Sequence, residues 1–271
     1  MLAILGGQIM TEPQIRFEDG ASYEKMMGAW SRLAGRIFLD WLAPKPGLAW
    51  ADVGCGNGAF TELLVERCAP SAIEGIDPAE AQIAFARQRP AASLAKFHQG
   101  DAMALPFADR SFDAAVMALV IFFVPEPARG VAEMVRVTRP GGMVSAYAWD
   151  ALNGGLPFEP IQVEMRAMGM RPLIPPRSEA SRIDGMRALW ESAGLVEVET
   201  REIAVTRTFT DFDDFWTINL GGANLASVVK SKSVAEVAEL KDRLRAHLPK
   251  DASGQITCVG RANAVKGRVP A

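Results

Sequence analysis

Ala51-Asp52-Val53-Gly54-Cys55-Gly56-Asn57-Gly58 is the stretch on which the reading of this chain turns. Leu48 to Val53 is a short, mostly apolar run with one acid near its end, and glycines follow at once. That is the pattern of a buried parallel strand entering a tight turn. Glycines there let the main chain turn sharply and let a ligand approach it closely. The spacing is G-x-G-x-G, whereas a dinucleotide-binding turn reads G-x-G-x-x-G and sets a pyrophosphate on the next helix. Here position 59 is Ala, and Asp52 stands where it would repel a phosphate. An acid beside a glycine turn suits a cationic ligand, because unlike charges attract at short range.

Downstream, the acid recurs at matching places. Gly75-Ile76-Asp77-Pro78 sets a carboxylate at the end of a second strand, where an acid accepts both hydroxyls of a ribose. NAD and S-adenosylmethionine share that ribose, so Asp77 does not choose between them. Asp77 also suits the N-cap of a helix at Ala79 to Gln88, and the two roles are compatible. Gly100-Asp101-Ala102 closes a third strand, where a carboxylate and the next backbone N–H match the polar edge of adenine. Open α/β sheets bind ligands at the carboxyl ends of their strands, so three acids at three successive strand ends point to one site. S-adenosylmethionine carries an ammonium and a sulfonium, and it fits an acid-lined turn better than a pyrophosphate does.

The periodicity around these motifs alternates. Residues 21 to 42 read as a helix, with Met26, Met27, Trp30, Leu33, Ile37 and Leu42 at spacings of three to five. Strands are expected at Leu48 to Val53, Ala72 to Ile76, Ala95 to Gln99, Ala114 to Ile121 and Met143 to Trp149. Helices are expected between them at Ala59 to Cys68, Ala79 to Gln88 and Pro125 to Val137, the last stopped by Arg139-Pro140-Gly141-Gly142. Strands alternating with helices imply a doubly wound α/β sheet with right-handed crossovers. Residues 150 to 180 are rich in Gly and Pro and read as an insertion rather than a core element. A helix at Ile183 to Ala193, a strand at Val196 to Thr208, helical stretches within Phe209 to Leu248 and a last strand at Gln255 to Ala264 complete the chain.

In order along the chain, Asp52 to Gly58, Gly75-Ile76-Asp77, Gly100 to Phe107, Ser111-Phe112-Asp113 and Arg139-Pro140-Gly141-Gly142 resemble the successive motifs of class I S-adenosylmethionine-dependent methyltransferases. Among these the chain is similar to the ubiquinone/menaquinone-biosynthesis-like group that acts on small molecules. The resemblance spans residues 20 to 150 and is specific for fold and cofactor rather than for acceptor. It implies a mostly parallel seven-stranded Rossmann-like sheet whose last strand runs antiparallel, with Gln255 to Ala264 in that place. It implies a tail at 1–20, a cofactor-binding core with a lid helix at 21–150, and, at 151–271, cap insertions with the last helix and two last strands. It also implies that Asp52, Gly54, Cys55 and Gly56 line the methionine part of S-adenosyl-L-methionine. Asp77 then holds the ribose, with Pro78 beside the adenine that Asp101 and Ala102 face. Met117-Ala118-Leu119 passes under the methionine end, Tyr23 lies on the covering N-terminal helix, and Arg32 is a candidate partner for the cofactor carboxylate.

Where many relatives carry two adjacent histidines, this chain has Phe122 and Phe123, so no histidine base is expected there. The apolar run Met117 to Val120 lacks the Asp/Asn-Pro-Pro-aromatic motif of enzymes that methylate nucleic-acid bases. His98 reads as a packed or adenine-side strand residue and His247 as a residue closing a basic helix against its dipole. No catalytic base is assigned. An apolar acceptor pocket is expected from Phe158, Met165, Met168, Met170, Phe212, Phe215 and Trp216, at least half of which should be plain core.

The 271 residues carry a formal net charge of −3 and no long basic run, which argues against a nucleic-acid partner and for a small-molecule substrate. No apolar stretch of about twenty residues is present, so membrane insertion is not expected. The three cysteines are unclustered, which suits a reducing cytoplasm, and no Cys or His pair has metal-ligand spacing. Met1 to Met10 is apolar without a basic start and reads as a floppy beginning, with Met10 the alternative initiator, rather than a secretory signal. The rival expectations are an NAD-dependent oxidoreductase and a non-catalytic protein that binds S-adenosylmethionine or S-adenosylhomocysteine.

Overall fold

The computed structural model describes residues 27–171, 174–220 and 223–271. In chain order the elements are α1 (Ala29–Leu42), β1 (Ala49–Val53), α2 (Ala59–Cys68), β2 (Ala72–Asp77), α3 (Glu80–Ala86) and β3 (Ala95–Gln99). Then come β4 (Phe112–Ala118), α4 (Pro127–Val137), β5 (Thr138–Trp149), α5 (Glu159–Ala167), α6 (Ile183–Ser192) and β6 (Val196–Phe209). Helices α7 (Phe212–Leu220), α8 (Ala223–Lys230) and α9 (Val234–His247) precede β7 (Ile256–Arg268). The strands form one seven-stranded sheet in the order β3-β2-β1-β4-β5-β7-β6. β1 pairs in parallel with β2 and with β4, while β7 runs antiparallel to both β5 and β6. The order reverses between β1 and β4, and a crevice at such a switch point is where this architecture takes ligands.

The central strands are buried on both faces, as parallel strands covered by helices must be. Trp50, Ala51 and Val53 of β1 and Ala114 to Met117 of β4 are wholly enclosed. Helix α1 lays Trp30, Ala34, Phe38, Leu39 and Leu42 on this core, a stripe at helical spacing. Phe38 meets the Tyr147 ring of β5 at 4.6 Å between centroids and Phe60 of α2 at 6.2 Å. No helix among the described residues is long and apolar enough to cross a membrane.

Four of the differences from the expectation have a clear local reason. β4 ends at Ala118 instead of Ile121, because Leu119 turns to φ 62° and Ile121–Phe123 coils into a 3-10 turn. The expected break at Arg139 to Gly142 is absorbed into β5. Gly141 N–H donates to the Val269 carbonyl at 2.8 Å and Val269 N–H to the Gly142 carbonyl at 3.0 Å, which ties this stretch to the chain just beyond β7. The insertion at 150–180 is not without core elements: α5 buries Ile161 and Met165. β7 runs four residues beyond Ala264 because β5 and β6 both pair with it as far as Arg268.

Candidate cofactor and active site

The glycine turn is tied down from below. The Gly54 and Cys55 N–H groups both donate to the Ile76 carbonyl of β2, at 2.7 and 3.0 Å. Gly54 lies at φ 77°, and a Cβ there would sit 2.5 Å from the Val120 methyls. Only glycine satisfies both conditions at once. Gly56, at φ 52°, differs: a Cβ there would meet no atom of the described residues within 4 Å.

The turn borders a cavity of about 230 Å³ at the carboxyl ends of β1, β2 and β4. Of the residues expected to bind, Gly54, Cys55, Gly56, Asp77, Pro78, Asp101, Ala102, Ala118 and Leu119 all line it. Asp77 accepts hydrogen bonds from Gly56 N–H at 3.0 Å and Ala79 N–H at 2.9 Å, one on each carboxylate oxygen. Burial raises its carboxyl above the usual aspartate range, against the two hydrogen bonds that pull it down. It does not cap a helix as the sequence suggested, since α3 begins at Glu80 with Ala79 as its N-cap. Instead it links the end of β2 to the glycine turn and keeps acceptor capacity on both oxygens. Asp101 is exposed at the cavity edge and accepts from Met103 N–H at 2.8 Å.

Two expected residues lie elsewhere. Asp52 does not line the cavity: it is fully buried beneath the turn, where it accepts a 2.6 Å hydrogen bond from the Thr61 hydroxyl. Arg32 also does not line it, because its guanidinium is drawn to the Glu66 carboxylate at 2.6 and 2.7 Å. Tyr23 lies outside the described residues. The cap residues proposed for the acceptor pocket do not line this cavity either. Met165 and Phe215 are core, and Phe212 stacks on Trp216 at 6.3 Å. His98 bonds Glu74 at 2.5 Å and His247 bonds Glu164 at 2.6 Å, both away from the cavity. His247 is thus engaged by α5 and not only by its own helix dipole.

The sequence reading missed Ser31, Phe60, Gln82, Phe123 and Tyr147, all of which line the cavity. Tyr147 was findable by the rule that located the acids, since it lies near the carboxyl end of β5. Its hydroxyl donates to the Ser31 carbonyl of α1 at 3.4 Å, joining the covering helix to the sheet. Gln82 required knowledge of which face of α3 turns inward, and the motifs carry no such signal.

No Lys, Arg or His lines the cavity among the described residues, and its charged groups are Asp77 and Asp101. A pyrophosphate would meet two carboxylates and no cation, so the dinucleotide reading fits this wall poorly. An adenosine-bearing cation fits it: acceptors for a diol and an amine are present, and no atom of the described residues crowds Gly56. No His, Cys, Asp or Glu cluster suited to a metal occurs among the described residues.

Comparison with known proteins agrees. The methyltransferase domain family matches residues 51–146. That match runs from β1 to β5, the part of the sheet that carries the glycine turn and Asp77. The chain is 39% identical over 105 residues to the demethylmenaquinone methyltransferase of Desulfitobacterium hafniense, covering 37% of this chain and 42% of that one. It is 34% identical over 125 residues to the ubiquinone/menaquinone biosynthesis C-methyltransferase of Roseobacter denitrificans, 45% of this chain and 50% of that one. The chain thus spans about half the length of the curated relatives it matches. Haemonchus contortus phosphoethanolamine N-methyltransferase 2, solved with S-adenosyl-L-methionine, superposes with a TM-score of 0.56 at 16% identity, over 92% of this chain and 56% of that one. The matched residues thus sit within a chain that shares the fold of that structure over nearly its whole length.

Proposed function

We propose that this protein is an enzyme that transfers a methyl group from S-adenosyl-L-methionine to a small-molecule acceptor by in-line displacement. The observation that carries the reading is the composition of the cavity wall: glycine turn, Asp77 and Asp101 around one space, with no basic side chain among the described residues. Asp77 holds the ribose, Asp101 and Ala102 face the adenine, and Gly54 to Gly56 with Ala118 and Leu119 bed the methionine end. The cofactor supplies the electrophilic methyl group. What the protein adds is position and dryness. Leu119, at φ 62°, is held by donating its N–H to the Tyr147 carbonyl at 2.7 Å, and a strained residue fixed in this way marks a pre-set surface. Phe60, Val120, Phe123 and Pro125 give the cavity an apolar side that excludes water and aligns an acceptor for attack at about 3 Å.

The relatives' names make a quinone-type aromatic ring the first acceptor to try, within a cytoplasmic setting. The cap contributed by 151–271 would close over it. The test is transfer of labelled methyl from S-adenosylmethionine to a panel of hydroquinones, phenols and amines, with Asp77→Ala as the control. Label in an acceptor, lost in the control, is the expected result. A parent protein that binds S-adenosylhomocysteine yet labels nothing across the panel would contradict transfer and favour a non-catalytic binder.

A further inference from the structure

Among the described residues, Asp52 is the one buried acid next to the cavity that the cofactor reading leaves without a task. It is fully enclosed, its Oδ2 accepts the Thr61 hydroxyl at 2.6 Å, and its Oδ1 has no hydrogen-bond partner among the described residues. An ionised carboxylate with a single hydrogen bond is costly to keep in such surroundings. Its neighbours make matters worse. In the sheet it lies opposite Gly75 of β2 and Val116 of β4, which bring no charge, and from α2 it meets the uncharged Thr61. The charged group acting on it is Asp77, an anion at the end of β2, and the Cys55 thiol in the turn is the other titratable group that shares its field. The charge that would relieve this arrangement is a positive one in the cavity that Asp77 lines.

We propose that Asp52 carries a proton in the ligand-free protein and loses it when a cationic ligand enters the adjoining cavity, so that cofactor binding is coupled to proton release. The inference rests on the cofactor reading above. The carboxyl O–H bond breaks, its electron pair stays on Asp52, and the proton passes to the buffer. Burial first, and then Asp77, push the Asp52 carboxyl up to about 7 against the Thr61 hydrogen bond, so the exchange falls near neutral pH. S-adenosylmethionine has a sulfonium and S-adenosylhomocysteine has not, so the coupling favours substrate over product increasingly as pH rises toward neutrality.

The test is calorimetric titration of each ligand in buffers of different ionisation enthalpy, with parent, Asp52→Asn and Thr61→Val proteins. Subtracting the Asp52→Asn result removes any proton exchanged by the ligand's own amine. Near pH 7 the parent should release about half a proton more than Asp52→Asn on binding S-adenosylmethionine, and less on binding S-adenosylhomocysteine. Below that pH, parent affinity for S-adenosylmethionine should rise by up to about tenfold per pH unit. Thr61→Val, which removes the bond favouring the ionised form, should move the release to higher pH. Its behaviour tests the proposal even where Asp52→Asn fails to fold. Binding with no Asp52-dependent release, or an unmoved Thr61→Val profile, would overturn the coupling and leave the cofactor reading intact. Absence of binding by either ligand would overturn both.

Discussion

Gly54 and Gly56 have the same residue type and similar backbone angles, yet their surroundings assign them different work. At Gly54 a methyl group collides with Val120 and needs a strained φ, so Gly54→Ala should cost about 2–4 kcal/mol of stability. At Gly56 the methyl group meets no atom of the described residues, so Gly56→Ala should cost only about 1 kcal/mol. Its methyl group occupies ligand space, however, and affinity for S-adenosylhomocysteine should fall at least about tenfold. Urea unfolding and calorimetry on the two variants check this, and equal effects of both on stability would contradict it. The sequence shows that both positions are glycine but not which one leaves room. The same limit explains Asp52 and Arg32. Chain position brought each near the site, but a side chain's direction depends on partners that the motifs do not include, Thr61 and Glu66, both on α2.

At the scale of elements, α5 and α9 are fastened together by one buried carboxylate. Glu164 of α5 is 5% exposed and accepts from Arg243 at 2.8 Å and from His247 at 2.6 Å, both on α9. Burial raises its carboxyl, but the hydrogen bonds from His247 and Arg243 outweigh that and hold it below the usual glutamate range. A depressed carboxyl contributes stability above its unfolded value, and this is lost as pH falls through the folded one. The stability gap between parent and Glu164→Gln should therefore be about 1–3 kcal/mol at pH 7 and shrink below about pH 4. Chemical denaturation across pH 3–7 measures it (the range brackets the glutamate titration). A gap that stays constant through acid would show that the fastening is packing alone. This contact was not legible beforehand, because the two helices lie about seventy residues apart and no motif links them. By contrast, β3 was placed to the residue, since Ala95 and Phe97 alternate with polar Lys96 and His98 and Gly100 closes the run.

Across the whole molecule, the alternation of strands and helices from Leu48 to Trp149 fixed a doubly wound sheet, and the order β3-β2-β1-β4-β5-β7-β6 places its reversal beside the glycine turn. The antiparallel place of β7 came from family resemblance, because a strand's own sequence does not encode its direction. The central claim is that the cavity at this reversal holds an adenosine-bearing sulfonium cofactor through Asp77. Its most direct test is calorimetric titration of S-adenosylmethionine, S-adenosylhomocysteine and NADH into the parent and Asp77→Ser proteins. The account predicts that the parent binds the first two and not NADH. Asp77→Ser, which loses the diol-binding carboxylate, should stay folded and bind both at least about tenfold more weakly. NADH binding by the parent, or undiminished S-adenosylhomocysteine binding by Asp77→Ser, would contradict it.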